Sequence, residues 1–178
     1  MTGPVIETER LILRLPQPSD FEAWAQLNAS EAAQRFLGGP LTREMAWRNM
    51  ATMSGGWLTR GFSMFSVIEK GSGQWIGRLG PWQPEGWPGT EVGWGLSPDA
   101  WGKGYATEGA AAAIDWAFDT LGWDEVIHTI DPMNTPSVAV AKRLGSVLLR
   151  RAHLPAPLDF VIDVWGQSRE DWRMRRRA

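Results

Sequence analysis

The residues most suited to chemistry lie in one glycine-bearing turn, Ala100-Trp101-Gly102-Lys103-Gly104-Tyr105-Ala106-Thr107-Glu108. A strand-like segment precedes this turn, and a segment with apolar residues at helical spacing follows it. Glycines let the backbone approach an anion closely, and successive N–H groups at a helix start favour negative charge. The turn therefore predicts a binding site for a phosphorylated cofactor.

Two common phosphate-binding motifs do not fit this turn. A Walker A loop needs Lys-Ser or Lys-Thr after its last glycine, but Tyr105 follows Gly104 and neither pair occurs in the chain. A dinucleotide-binding fingerprint needs a third glycine near the start of a βαβ unit, whereas Thr107 stands in that place at mid-chain. Both readings are rejected on these grounds.

The composition limits the other classes of function. With 178 residues, of which 43% are hydrophobic and 21% charged, the chain is predicted to form a single domain over residues 1–178. A net charge of −2 gives no electrostatic reason to expect nucleic acid as a partner. The chain has no cysteine, which excludes disulfides and thiolate nucleophiles, and its two histidines argue against a transition-metal site.

The N-terminal segment and the hydropathy pattern point to a cytoplasmic protein. Residues 1–7 have neither a basic leader nor an apolar core, so we expect no signal peptide. No apolar run approaches the length of a membrane span, so we expect no membrane association. The basic tail, residues 173–177, is expected to be a solvated terminus rather than an anion-binding segment.

The elements that must position the turn follow the order β, α, α, β, β, β, α, β, α, β, β, which indicates an α+β (mixed α/β) domain. Ser19 and Glu22 form the pattern of a capping box and should open the first helix. Thr42 should cap the second helix, and Gly55 with Gly56 should end it.

Several spaced motifs resemble the GNAT superfamily of acetyl-CoA-dependent N-acetyltransferases. The segment from Trp101 to Glu108 resembles its pyrophosphate loop, most of all that of the ribosomal-protein N-terminal acetyltransferases of the RimJ/RimL type. The other matching segments are residues 7–14, 91–94, 134–137, 143–145 and 168–172. The resemblance implies a GNAT-like fold, with a central, mostly antiparallel mixed sheet of about seven strands, splayed fourth and fifth strands, and flanking helices.

The resemblance also implies acetyl-CoA as co-substrate, no metal, and a set of cofactor-binding residues. Backbone N–H groups for the CoA diphosphate would come from Gly102, Lys103, Gly104, Tyr105, Ala106 and Thr107. Asn134 would bond the pantetheine arm, and Arg143 would lie near the nucleotide phosphates. Backbone groups around Leu96 and Ser97 would align the arm where the strands splay.

The sequence departs from the family pattern at two positions. Trp101 replaces the glutamine or arginine that often begins the loop, a change common in this branch. Ala141 stands where many relatives carry a tyrosine general acid, and the chain's one tyrosine lies in the phosphate loop. We therefore predict that Ser137, which shares a helix face with Ala141 and Leu144, hydrogen-bonds the leaving thiolate.

Glu91 is the predicted general base, because family members often place a carboxylate on this strand beside the splay. Strand alternation puts Glu91, Gly93 and Gly95 on one face. Each prediction has a plainer alternative: Glu91 as a solvated carboxylate and Ser137 as a helix cap.

Other residues near the turn have structural expectations. Glu108 is expected to complement its helix dipole, and His128 to be a core histidine with its hydrogen bonds satisfied. Trp82, Trp87 and Trp94 could wall the acceptor groove or pack in the core.

The predicted reaction is acetyl transfer by direct attack of a primary amine in a ternary complex, without an acyl-enzyme. A protein or peptide α-amine suits the site best, because its pKa of about 7.7–8.0 lies far below the value of about 10.4 for lysine. A small-molecule amine acetyltransferase and a non-catalytic acyl-CoA-binding sensor remain alternatives. The acceptor, the use of other acyl groups and the oligomeric state, a homodimer included, stay open.

Overall fold

The structure, a computed structural model, describes residues 3–177, so Met1, Thr2 and Ala178 lie outside the described residues. The ends of the predicted domain and the start of the N-terminal segment fall on those three positions. The strands in chain order are β1 (Ile6–Glu7), β2 (Leu11–Arg14), β3 (Phe65–Glu69), β4 (Trp75–Trp82), β5 (Glu91–Leu96), β6 (Glu125–Ile130), β7 (Val147–His153) and β8 (Val161–Ser168). The α-helices are α1 (Phe21–Ala29), α2 (Glu31–Gln34), α3 (Arg43–Thr59), α4 (Tyr105–Asp119), α5 (Thr135–Leu144) and α6 (Arg169–Arg177).

The eight strands found within residues 3–177 belong to one sheet, in the order β1-β2-β3-β4-β5-β6-β8-β7. Every neighbouring pair is antiparallel except β5 and β6, which are parallel. The predicted mixed, mostly antiparallel sheet is confirmed, and the strand beyond the expected seven is the two-residue β1 that pairs with β2.

The parallel strands β5 and β6 separate directly after their first paired residues. Within the described chain, β5 and β6 share a single register pair, Glu91 with Ile127. The predicted splay of the two central strands is therefore confirmed, and it lies next to Glu91.

Helices cover both faces of the sheet. On one face α4 buries its apolar stripe against Leu79 and Val92, and Gly109 lets the helix lie so close that a Cβ there would stand 3.0 Å from Leu79. On the other face α1 and α3 enclose a second cluster, built on Trp24, Met50, Met53 and Met64. Because strand neighbours point to opposite faces, Glu91 and Gly93 face the second cluster while Val92 faces α4.

Two helix predictions are wrong at their ends. Ser19 does not cap α1: a 3₁₀ turn, Pro18–Asp20, precedes it, and the Asp20 carboxylate accepts the N–H of Gln17 at 2.8 Å. The glycine pair does not end α3, which runs on to Thr59. Gly56 lies so close to Ser63 that a Cβ would stand 2.9 Å from its hydroxyl, so this glycine serves tertiary packing inside the helix.

The basic tail, residues 173–177, is solvent-exposed as expected, and it is the last part of helix α6, which the rest of the fold holds in place. Trp172 of α6 is buried, and Arg173 and Arg176 pair with Asp119 and Asp115 of α4. Arg175 donates to the carbonyl of Gly145 at 2.9 Å and so holds the end of α5. None of the helices within residues 3–177 combines the length and the apolar character needed to cross a membrane.

Candidate active site

Two side chains take the place of backbone hydrogen bonds where β5 and β6 part. The carboxylate of Glu91 accepts the N–H of Thr129 at 3.3 Å and its hydroxyl at 2.9 Å. One residue further on, Nδ1 of His128 lies 2.7 Å from the carbonyl of Val92. The gap between the strands is therefore bridged by side chains, which leaves backbone groups of β5 beyond Val92 facing an opening.

The register of β5 decides which backbone groups face this gap. The N–H of Ser97 donates to the carbonyl of Ile76 at 2.8 Å, at the side of β4. Because an antiparallel strand alternates in the side to which its N–H and C=O groups point, those of Trp94 and Leu96 face the gap. The Leu96 carbonyl accepts the indole N–H of Trp101 at 2.8 Å, so the Leu96 N–H and the Trp94 groups are the ones placed to align a ligand. The amide predicted for Ser97 is not available there.

The glycine turn has the geometry of an anion cradle. Gly102 and Gly104 adopt φ values of +74° and +83°, which L side chains rarely adopt. Gly104 is the N-cap of α4, and no side chain caps this helix, whereas Ser30, Thr42 and Asn134 cap α2, α3 and α5. The N–H groups of residues 105–107 therefore lie at an uncapped, positively polarised helix end, which fits a diphosphate.

A set of hydrogen bonds that the sequence did not predict, called the clamp below, holds this turn against the segment between β1 and β2. Glu108 accepts hydrogen bonds from the Thr8 hydroxyl at 2.5 Å, the Arg10 N–H at 2.8 Å and the Arg10 Nε at 2.6 Å. Arg10 in turn donates Nη1 to the carbonyl of Lys103 at 2.9 Å, inside the turn. Burial opposes ionisation of Glu108, but these bonds outweigh it and hold its pKa below the ordinary value. The one sequence signal for this contact is the family resemblance of residues 7–14.

Glu91 is a buried carboxylate and not a solvated one. Its side chain faces the α1 and α3 side, next to Gly93, as alternation predicted. It is 5% exposed and accepts the indole N–H of Trp87 in addition to the two bonds from Thr129. Burial raises its pKa to about 7, although the hydrogen bonds and the charge of Arg78 act in the opposite direction. A group with this pKa can accept a proton near neutral pH.

Ser137 contacts Trp94, whose side chain lies on the face of β5 opposite to that of Glu91. Its hydroxyl accepts the indole N–H of Trp94 at 3.3 Å, while its N–H donates to the Asn134 side chain that caps α5. The capping role is therefore performed by Asn134 and not by Ser137. Ala141 and Leu144 are buried on the same helix face, as predicted.

His128 is fully buried and has a partner for each ring nitrogen. Nδ1 bonds the Val92 carbonyl, Nε2 lies 3.0 Å from the Ser146 hydroxyl, and the ring packs against Trp94 with centroids 4.9 Å apart. Burial lowers its pKa to about 4, which keeps it neutral at pH 7. The expectation of a satisfied core histidine is met, and its position also supports the gap.

The remaining predicted residues divide between the site and its surroundings. Trp82 and Trp87 pack edge to face, with centroids 6.5 Å apart, on the side of Glu91. Arg143 is exposed in the last turn of α5 and makes no hydrogen bond or ion pair with the glycine turn within residues 3–177. No group of three or more histidine, aspartate and glutamate side chains in that same range could hold a metal ion.

Comparison with known proteins identifies the family to which this chain belongs. Residues 10–147 match the family described as Acetyltransferase (GNAT) domain. An acetyltransferase from Agrobacterium tumefaciens strain C58 is 31% identical over 95% of this chain and 96% of its own, with a TM-score of 0.84. The uncharacterized N-acetyltransferase p20 of Bacillus licheniformis is 29% identical over 78% of this chain and 79% of that protein. The ribosomal-protein-S5-alanine acetyltransferase of Vibrio fischeri shares the fold, with a TM-score of 0.73 at 20% identity over 96% of this chain and 99% of its own.

The clamp on the glycine turn predicts the effect of one substitution. Glu108→Gln should weaken acetyl-CoA binding about three- to tenfold, because the partly exposed carboxylate would lose its charge-assisted bonds to Arg10 and the turn would be less well held. Isothermal titration calorimetry of acetyl-CoA measures the change. Glu9→Gln, an exposed neighbour on the same segment, is the matched control and should bind like the wild type. Equal affinity in both variants would show that the clamp does not position the turn.

Proposed function

The chain belongs to the GNAT acetyltransferase family, and on that premise we propose that the amine it acetylates is the α-amine of a protein or peptide N-terminus. Acetyl-CoA supplies the activated acetyl group as co-substrate. Residues 102–107 hold its diphosphate, and the N–H of Leu96 with the backbone groups of Trp94 aligns its arm along β5. Asn134 caps α5 with its side-chain oxygen, and its side-chain N–H groups are proposed to bond the same arm. Arg143 is the cation proposed for the nucleotide phosphates.

The observation that carries the proposal is the buried carboxylate of Glu91 at the splay, with its pKa raised to about 7. A peptide α-ammonium, with a pKa of about 7.7–8.0, lies within about one unit of this base, whereas a lysine ammonium lies about three units above it. Glu91 can therefore take the proton of an α-amine, directly or through a water, at little thermodynamic cost. The neutral amine then attacks the thioester carbonyl, and the C–S bond of the tetrahedral intermediate breaks. The second proton of the attacking nitrogen passes to the departing thiolate, which leaves as the free thiol of CoA.

Ser137 is proposed to stabilise that leaving thiolate. Its oxygen already accepts the indole N–H of Trp94, so its own hydroxyl proton is free to point into the gap. A thiol has a pKa of about 8.5, so the leaving group needs a hydrogen bond more than a strong acid. Direct transfer between two bound reactants then derives much of its rate from proximity.

An acceptor panel tests this function against its two rivals. Purified enzyme with acetyl-CoA should release free thiol with short peptides of free N-terminus, and far less with the same peptides blocked at the N-terminus but carrying a lysine. The readout is thiol release measured with a chromogenic disulfide, with acetyl-CoA binding followed in parallel by thermal shift. Release with small amines only would favour a small-molecule acetyltransferase. Tight binding without release on any amine would favour a sensor.

The raised pKa of Glu91 predicts a specific pH profile. In the wild type, log kcat/KM for the amine should rise through two ionisations, that of the amine itself and one near pH 7. Glu91→Gln should lose the ionisation near 7 and about 10²- to 10³-fold in rate. Glu125→Gln, an exposed glutamate at the start of β6, is the matched control and should keep both ionisations.

The stability of the same variants separates catalysis from folding. Because the folded-state pKa of Glu91 lies above its unfolded value, the wild type loses stability as pH rises from about 4.5 to 7. Glu91→Gln should therefore unfold at no lower a temperature than the wild type at pH 8. A Glu91→Gln variant that retains both ionisations and the full rate would contradict the role of Glu91 as base.

Ser137→Ala should lower kcat about tenfold and leave the acetyl-CoA dissociation constant within about twofold, because one hydrogen bond made mainly in the transition state is lost. Ser137→Thr keeps a hydroxyl at the same place and serves as the control. Rapid-quench or steady-state kinetics at saturating amine measure kcat. An unchanged kcat in Ser137→Ala would remove this residue from the reaction.

A further inference from the structure

Arg78 is a buried cation whose hydrogen-bond donors are mostly unused. It lies on β4 opposite Gly95 and is 8% exposed. Its buried Nε has no partner, and Nη1 donates only to the thioether sulfur of Met64, a weak acceptor, at 3.1 Å. Within residues 3–177 no carboxylate oxygen lies within 4.0 Å of its guanidinium nitrogens.

The guanidinium of Arg78, on β4, and the carboxylate of Glu91, on β5, both lie over the strip of β5 backbone formed by Gly93 and Gly95. A Cβ on Gly95 would stand 3.8 Å from the guanidinium carbon of Arg78, and a Cβ on Gly93 would stand 3.1 Å from Oε1 of Glu91. Gly93 and Gly95 follow Glu91 at alternate positions, so all three face the same side of the sheet. A cation and the proposed base therefore lie beside each other, without touching, over a strip of backbone that carries no side chains.

Packing alone does not account for Arg78. Burial lowers its pKa to about 10, with Glu91 acting in the opposite direction, so the side chain still carries its charge at pH 7. Burying a charge without paired acceptors is strongly destabilising, and the five N–H donors of a guanidinium suit a planar, two-oxygen anion. The carboxylate of Glu91 affects Arg78 only at a distance.

We infer that Arg78 binds a carboxylate carried by the amine acceptor, close to the amine that faces Glu91. The inference rests on two parts of the proposed function, acetyl transfer to an amine and Glu91 as base, and it narrows the acceptor to an aminocarboxylate. If the carboxylate is that of a free amino acid, the acceptor is a small molecule and the peptide acceptor of the proposed function is wrong. Two sources share this chemistry: the α-carboxylate of a free amino acid, and the side-chain carboxylate of an aspartate or glutamate at the N-terminus of a peptide. In either case the base and the cation contact two groups a few bonds apart on one molecule.

Two pairs of probes test the inference and distinguish the sources. L-alanine is compared with L-alaninamide, and a peptide that begins with Asp is compared with the peptide that begins with Asn. Rates of thiol release are corrected for the fraction of neutral amine at the assay pH. In at least one pair the wild type should prefer the carboxylate about 10- to 100-fold in kcat/KM, the range expected for charge-assisted hydrogen bonds. The pair that shows the preference identifies the source.

Variants at position 78 assign the preference to this side chain. Arg78→Gln should bring the carboxylate-to-amide ratio to about one, mainly through a higher KM for the carboxylate probe. Arg78→Lys, which keeps a charge without the planar fork, should give an intermediate ratio. Arg151→Gln, an exposed arginine on β7, is the matched control and should keep the wild-type ratio.

Three results would overturn the inference while the proposed function stands. The first is an equal rate for carboxylate and amide in both pairs with the wild type, a comparison that needs no variant. The second is a wild-type ratio retained in Arg78→Gln. The third is an equal loss on every probe together with a shift of the ionisation near pH 7, because Arg78 would then act by setting the pKa of Glu91. Absence of thiol release on every probe, with acetyl-CoA bound, would instead remove the proposed function itself.

Discussion

The separation of β5 from β6 is the constraint on which the rest of the site depends. A sheet that parts after one rung leaves backbone donors and acceptors without partners, and such groups are costly when buried. Glu91 and His128 satisfy the first of them with side chains, and Trp101 satisfies another from the glycine turn. The groups that remain, on Trp94 and Leu96, are those that a ligand can use. The proposed base and the proposed cofactor-binding groups therefore both lie where the two strands lose their backbone hydrogen bonds.

The separation of β5 from β6 also explains why the carboxylate of Glu91 is buried. A carboxylate at the end of an ordinary strand would be solvated, but here its two oxygens replace ladder partners and are enclosed by Trp87 and Thr129. Burial then dominates over the hydrogen bonds, and the pKa rises instead of falling. On the opposite face, the ring of His128 packs at a tilt against the indole of Trp94, and this indole donates a hydrogen bond to the Ser137 hydroxyl. Under the proposed function, the face of β5 that carries Glu91 serves the acceptor amine, and the face that carries Trp94 serves the leaving thiolate.

Local patterns made much of this predictable from the sequence. The strand before the glycine turn, the turn itself and α4 could be predicted, because helical spacing and glycines act within a few residues. The clamp between Glu108 and Arg10 was not readable from spacing, because it joins residues about a hundred positions apart. The same holds for α3 crossing its glycine pair and for α6, whose arginines are ordered by aspartates on α4. Burial of Glu91 and Arg78 likewise arises from tertiary packing.

The single rung between β5 and β6 divides the sheet into two leaves, β1 to β5 and the smaller group of β6, β8 and β7. The two leaves are joined along the β5–β6 boundary, called the seam here, by the single register pair Glu91–Ile127, by a few side-chain hydrogen bonds and by the helices that pack across this boundary. A molecule that bonds to both leaves works as a cross-link, and its binding energy adds directly to the resistance of the seam to opening. Under the proposed function, bound acetyl-CoA is such a cross-link, so its release would lower the resistance of the sheet to opening.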